Sequence, residues 1–239
     1  MKSIWKQQTA KIFLAIKLTV LFSLLLYGFG YNLYLVQKQK AEELNKEFAV
    51  KKEKALGEFV MKLMNQVDVK QSVTKKQMIA RTYVRVANEV FGSERQKYQY
   101  ALVIALESRY DNSARSPQGA VGIAQVIPKY VKEFASRCGI SDITEADLTN
   151  IEISILVGAC QFRALMNHKD IEGNIALALY AYNAGMRSRA FQDLVGMKNT
   201  TNLETANYVA KFTYLSNVMK VEEKVKEISN ESKETSKTP

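Results

Sequence analysis

One acid in this chain follows directly on an apolar run. Ala101-Leu102-Val103-Ile104-Ala105-Leu106 leads straight into Glu107-Ser108. Apolar neighbours exclude water, disfavour the ionised carboxylate and raise its pKa, which suits a group that must donate a proton near neutral pH. Glu107 is therefore the leading catalytic candidate. Taken alone, an acid at the end of a buried helix with its head turned to solvent is the commoner arrangement, and the surrounding pattern reverses that judgement.

Three further blocks surround that acid. The first runs Ser116-Pro117-Gln118-Gly119-Ala120-Val121-Gly122-Ile123-Ala124-Gln125-Val126-Ile127-Pro128. Its Ser-Pro pair and glycines make a good loop for backbone reasons alone, because proline sets φ and glycine permits positive φ. The second, Ala181-Tyr182-Asn183-Ala184-Gly185, follows an apolar helical stretch, and Asn and Gly also end helices through left-handed caps. The third, Glu204-Thr205-Ala206-Asn207-Tyr208-Val209, opens an apolar-periodic segment. A glutamate in the first turn of a helix is favoured by the helix dipole whatever its other use.

In this order and spacing the four blocks closely resemble the soluble lytic transglycosylase family, over roughly Gln99 to Leu215. The resemblance implies a mainly α, lysozyme-like domain of the goose-type lysozyme and transglycosylase kind. It implies cleavage of the bond between N-acetylmuramic acid and N-acetylglucosamine in peptidoglycan, leaving a 1,6-anhydro ring on the muramoyl product and consuming no water. The glutamate at the position of Glu107 then acts first as acid and afterwards as base. Ser108, Ser116, Gln125, Ile127, Tyr182, Asn183, Glu204 and Tyr208 fall on the family's motif positions in the sugar cleft. Inside the loop the chain has Gly122-Ile123-Ala124-Gln125-Val126-Ile127, where the family usually has Gly-Leu-Met-Gln-Leu-Met. Smaller Ala124 and branched Ile127 reshape the apolar floor expected under the sugar.

The residues agree with a single-acid scheme, since glycoside hydrolysis ordinarily uses a second carboxylate to activate water or attack the sugar. Asp111 is four residues beyond Glu107, but Asn112, Ser113, Ser116, Pro117 and Gly119 read as loop, so Asp111 is a helix-end or loop residue. A lysozyme-type hydrolase on the same fold and a non-catalytic peptidoglycan-binding scaffold of a secretion, conjugation or phage-entry complex are the alternative readings.

The elements that would position this site follow from periodicity. Leu18 to Val36 contains no formally charged residue. At about 1.5 Å per residue it reaches roughly 28 Å, close to a bilayer's apolar thickness, so it reads as an uncleaved transmembrane helix after a basic segment, residues 1–17. Lysines flank it on both sides, so the wall-side placement of the bulk of the chain follows from the inferred substrate: a single-pass protein of the inner or virion membrane with its domain on the periplasmic or wall side.

Residues 37–72 are expected to be a charged helical stalk or linker, with Leu44, Phe48, Leu56, Phe59 and Leu63 spaced loosely along one face. The catalytic domain is expected over 73–220. It opens on Met78, Ile79, Tyr83, Val86 and Val90, continues through helices near Lys129–Arg137 and Ile151–Met166, and closes with Tyr208–Val218, with no convincing strand. The polar residues 221–239 read as a disordered tail.

Net charge is +10. The basic residues are scattered with no nucleic-acid motif, so the wall and the membrane are the expected partners and nucleic acid is not. Cys138 and Cys160 suit either a disulfide or two small core positions. His168 is the only histidine, with no ligands at zinc spacing, so neither metal nor cofactor is expected.

Overall fold

A computed structural model describes the backbone of residues 2–196 and 202–235, and side chains within 17–196 and 202–232. The basic side chains Lys2, Lys6 and Lys11 lie outside the described ones. The chain divides into two units, one of residues 1–50 with 231–239 and one of residues 51–230. All the chemistry-bearing blocks belong to the second.

Nine α-helices are described: α1 (Lys2–Gln66), α2 (Val73–Val90), α3 (Glu94–Glu107), α4 (Val131–Ser136), α5 (Ile151–Met166), α6 (Ile175–Ala184), α7 (Arg189–Val195), α8 (Leu203–Val218) and α9 (Val221–Thr235). No β-strand occurs among the described residues, only isolated bridges of Val121 with Arg115 and Val126. The fold is mainly α.

In the first unit, the apolar stretch of α1 is exposed apart from half-buried Gly28, with Leu18, Phe22, Leu25 and Tyr31 all open. By length and composition this helix is a candidate membrane span, near the N-terminus and with none of its apolar window buried.

The second unit begins earlier than the sequence suggests. Leu56, Phe59, Val60, Leu63 and Met64 are buried, so the C-terminal end of the expected stalk is core. The stripe at spacings of three and four finds a partner across the fold, where Phe59 meets Tyr98 edge-on at 4.7 Å. Of the expected disordered tail, the part described is helical. Residues 221–235 form α9, with Val221 and Ile228 buried and Glu222 paired to Arg95 at 2.8 Å. A polar composition concealed an apolar stripe one side chain wide.

Helix starts follow local chemistry. Ser72, Asn150, Asn174 and Asn202 each accept a hydrogen bond from a backbone N–H in the first turn of α2, α5, α6 and α8. The core is built around α5, whose Phe162 joins Tyr100 of α3, Tyr182 of α6 and Phe91 after α2 in a connected aromatic cluster with centroid spacings of 5.5 to 6.4 Å. Gly158 of α5 is needed there, since a Cβ would collide with Ala124 and the Tyr100 hydroxyl. The Cys138–Cys160 disulfide joins the end of α4 to α5 with a Cα separation of 5.8 Å. Arg163, one turn on, donates to the carbonyls of Val90 and Arg137 at 3.1 Å each. These contacts hold the segment that carries the loop 114–128 against the core.

Candidate active site

Glu107 is the last residue of α3, and the chain breaks away from the helix immediately after it. Arg109 and Tyr110 take left-handed conformations, φ 51° and 62°. Tyr110 is fully buried and donates from its hydroxyl to the Ala101 carbonyl at 2.9 Å, which holds the turn in place. Glu107 as a residue keeps intermediate exposure, while its carboxyl group sits deep among protein atoms. The deeply set carboxyl governs its ionisation. Burial raises the pKa from an ordinary 4.5 to about 7, against the opposing hydrogen bond from Tyr208.

That bond runs from the Tyr208 hydroxyl to Glu107 Oε1 at 2.7 Å and links α8 to α3 across 101 residues of sequence. Burial first, and the neighbouring Glu107 after it, push the phenol of Tyr208 well above its usual range. It therefore stays a donor at every working pH. Tyr182, also raised chiefly by burial and then by Glu107, is equally un-ionised.

The remaining sequence candidates divide into braces and surface groups. Ser108 Oγ donates to the Ile123 carbonyl at 2.6 Å. Tyr182 donates to the Ala124 carbonyl at 2.9 Å. Gln125, at φ 49°, donates from Nε2 to Gly122 at 2.8 Å and Ala114 at 3.2 Å. Ser116 Oγ accepts from the Ala120 N–H at 3.0 Å and closes its turn. Together these bonds clamp the loop 114–126 beside the acid. Asn183 Oδ1 accepts from Thr205 Oγ at 3.0 Å, tying the end of α6 to the start of α8. Ile127 is half-buried before the 3₁₀ turn Pro128–Tyr130. Glu204 is exposed in the first turn of α8.

Asp111 is accounted for by its own loop. Its Oδ1 accepts from the Ser113 N–H and hydroxyl at 2.9 and 2.6 Å, and these bonds lower its pKa. Among the described residues the carboxyl of Glu107 has a phenol for a partner and no second carboxyl. Nor does any group of His, Cys, Asp and Glu side chains among them converge as a metal site.

Two supporting residues were missed from sequence. Ser154, fully buried in α5, accepts at Oγ from the Ala124 N–H at 3.2 Å. Thr205 is buried and anchors Asn183. A lone hydroxyl inside the apolar run Ile151–Met166 was the available signal for Ser154, while Thr205 had none beyond its place in a motif.

A single buried acid with a raised pKa, held by a phenol and beside a clamped loop, can give a proton to a leaving oxygen and then take one back. The family described as Transglycosylase SLT domain matches residues 87–203 of this chain. Among solved structures, the X-ray structure of an inactive mutant of lytic transglycosylase Slt from Pseudomonas aeruginosa is similar at 25% identity, with a TM-score of 0.45. That match covers 59% of this chain and 24% of the other, so this chain spans about a quarter of the length of that protein. No curated protein matches the chain.

Proposed function

We propose that the chain, whose residues 87–203 match the Transglycosylase SLT domain family, cuts the β-1,4 bond between N-acetylmuramic acid and N-acetylglucosamine in peptidoglycan and leaves a 1,6-anhydromuramoyl end. The family match supports lytic transglycosylase activity in general. The observation that carries the proposal is the environment of Glu107, one carboxyl raised to about 7 and hydrogen-bonded by Tyr208.

The steps follow from that pairing. Near neutral pH a large share of Glu107 is protonated, and it gives its proton to the glycosidic oxygen as the bond from C1 to that oxygen breaks. The carboxylate so formed faces the cationic C1 and is stabilised by the Tyr208 hydroxyl, whose bond strengthens as charge appears on Oε1. The carboxylate then takes the proton of the sugar's own C6 hydroxyl while O6 bonds to C1. Glu107 is returned to its starting state and no water enters.

Gln125, Ile127 and the backbone of the clamped loop would form the sugar-facing wall, with Ser108, Ser116 and Tyr182 holding that loop in place. Asn183, Glu204 and Tyr208 line the α6 and α8 side in this reading. The exposed apolar stretch of α1 would anchor the chain in a membrane with the catalytic unit on the wall side.

The test is mass spectrometry of muropeptides released from purified peptidoglycan by the full chain in detergent, beside Glu107→Gln. Anhydromuropeptides that disappear in the variant support the proposal. Reducing-end muropeptides would show hydrolysis instead, and binding without release would show a scaffold.

A further inference from the structure

The chain just beyond Glu107 is held in a conformation that its residues disfavour. Arg109 and Tyr110 are consecutive left-handed residues, φ 51° and 62°, and neither is glycine. Such backbone persists only where its surroundings over-determine it. Right-handed values there would carry α3 on past Glu107 and swing Ser108 away from the Ile123 carbonyl, to which its hydroxyl donates at 2.6 Å. The loop 114–126 beside the acid would then lose one of its clamps. Whatever keeps the turn also keeps the surroundings of the acid.

Part of that restraint comes from outside the residues 87–203 that match the transglycosylase family. Gln71 lies in the turn between α1 and α2. Its Nε2 donates to the Tyr110 carbonyl at 3.2 Å, across 39 residues of sequence. The turn that carries Gln71 is fixed on both sides. Val69 is buried and donates from its N–H to the Met64 carbonyl at 3.0 Å, and Ser72 caps α2. One helical turn on, Lys75 Nζ donates to Asn112 Oδ1 at 2.9 Å, and Asn112 Nδ2 donates to the Thr149 carbonyl at 3.0 Å. Among the described residues the Oε1 of Gln71 is buried without a donor. Turning the amide over would set that oxygen against the Tyr110 oxygen, so the bond to Tyr110 fixes its orientation. A buried carboxamide oxygen left unpaired destabilises a fold. Methionine, of similar length, would fill the space with neither the bond nor the unpaired oxygen.

We propose that Gln71 is a positioning residue for Glu107: its amide holds the left-handed turn at Arg109 and Tyr110, and through Ser108 the turn holds the loop in place beside the carboxyl. Gln71 touches no reacting atom. Its effect on rate rests on the transglycosylase reading, whereas its effect on the carboxyl is independent of any substrate. With the turn released, Ser108 leaves Ile123, the loop opens and water reaches Glu107, which loses the burial that keeps it protonated. The titratable neighbours Tyr208 of α8, Tyr182 of α6 and Tyr100 of α3 are all raised by burial and stay un-ionised, so the titration of Glu107 reads its own surroundings.

The experiment compares wild type, Gln71→Met and Gln71→Lys as full chains in detergent. Lysine keeps an N–H donor within reach of the Tyr110 carbonyl. Gln71→Met is expected to leave the urea midpoint unchanged or raised, because the lost bond is offset by removal of the unpaired oxygen. Its kcat for muropeptide release should fall by about tenfold to a hundredfold with KM within about twofold, the scale on which a displacement of about 1 Å acts. Gln71→Lys should recover most of that rate. A second arm follows carboxyl-labelled glutamates by ¹³C NMR, with Glu107 assigned by its absence in Glu107→Gln. The midpoint of Glu107 should lie about one pH unit lower in Gln71→Met and return toward wild type in Gln71→Lys. An unmoved Glu107 midpoint in Gln71→Met overturns the proposal, as does a loss of rate that tracks a lowered urea midpoint, or a Gln71→Lys variant as impaired as Gln71→Met. If wild type releases no muropeptides the transglycosylase reading fails, and the carboxyl titration still decides the role of Gln71.

Discussion

Glu107→Gln should make the protein more stable, and increasingly so as pH rises. Burial moves the carboxyl of Glu107 from 4.5 in an unfolded chain to about 7 in the fold. Between those values the folded protein retains a proton that the unfolded chain has released, so raising the pH through this window favours unfolding. Below pH 4.5 both states are protonated and nothing is lost; above about 7 the whole penalty is present. At 1.36 kcal/mol per pH unit the penalty comes to about 3 kcal/mol, trimmed toward 2 because the residue keeps intermediate exposure.

Glutamine keeps an oxygen for Tyr208 to bond and never ionises. The variant should therefore match wild type within about 1 kcal/mol near pH 4.5 and exceed it by roughly 2 to 3 kcal/mol at pH 8. For a unit of this size that is a gap of about 5 to 10 °C in melting temperature. The assay is thermal unfolding by circular dichroism of both full chains in detergent at four values from pH 4.5 to 8. A gap that does not change with pH would show that Glu107 is not held against ionisation. A gap that closes as pH rises would show that the fold stabilises the carboxylate, and the acid step would lose its basis.

Tyr208→Phe removes the donor that favours the carboxylate, so the rate-controlling pKa should rise by about one unit and activity at pH 7 fall by tenfold or more, read from the pH profile of kcat; an unmoved or lowered pKa refutes the pairing. Gly122→Ala should destabilise the unit by more than about 3 kcal/mol, because Gly122 has φ 80° and a Cβ would collide with the Leu148 carbonyl and the Ser154 hydroxyl; an unchanged urea midpoint would show that the loop is not clamped. Reducing the disulfide, or making Cys138→Ser with Cys160→Ser, frees a 22-residue separation and should cost roughly 3 kcal/mol by the same urea measurement. Ser154→Ala leaves the Ala124 N–H without its acceptor and should cost about 1 to 3 kcal/mol, with a matching drop in activity at unchanged pH profile.

Much of the fold is legible in local pattern. The apolar periodicity of Ile151–Met166 matches α5 residue for residue, and the stripe Ile79, Tyr83, Val86 and Val90 is the buried face of α2. Met78, read as part of that stripe, is exposed at 47%, because it sits on its outer edge. Composition hid apolar positions at both ends of the second unit. The charged residues around Leu56–Met64 and Val221–Ile228 dominate any average, whereas burial depends on a few apolar positions that recur on one helix face.

What the sequence by itself determined was the helical class, the caps, the apolar N-terminal stretch and the placing of one acid behind an apolar run, all of which depend on neighbours within a turn or two. Tertiary structure decided the rest. It brought Tyr208 to Glu107 and seated Tyr182, Ser108 and Gln125 on loop carbonyls. Those pairings join residues as far as 101 positions apart. Local propensity carries no information about which distant donor will meet a given acceptor, because that is settled only when the helices pack and every buried polar group must find a partner.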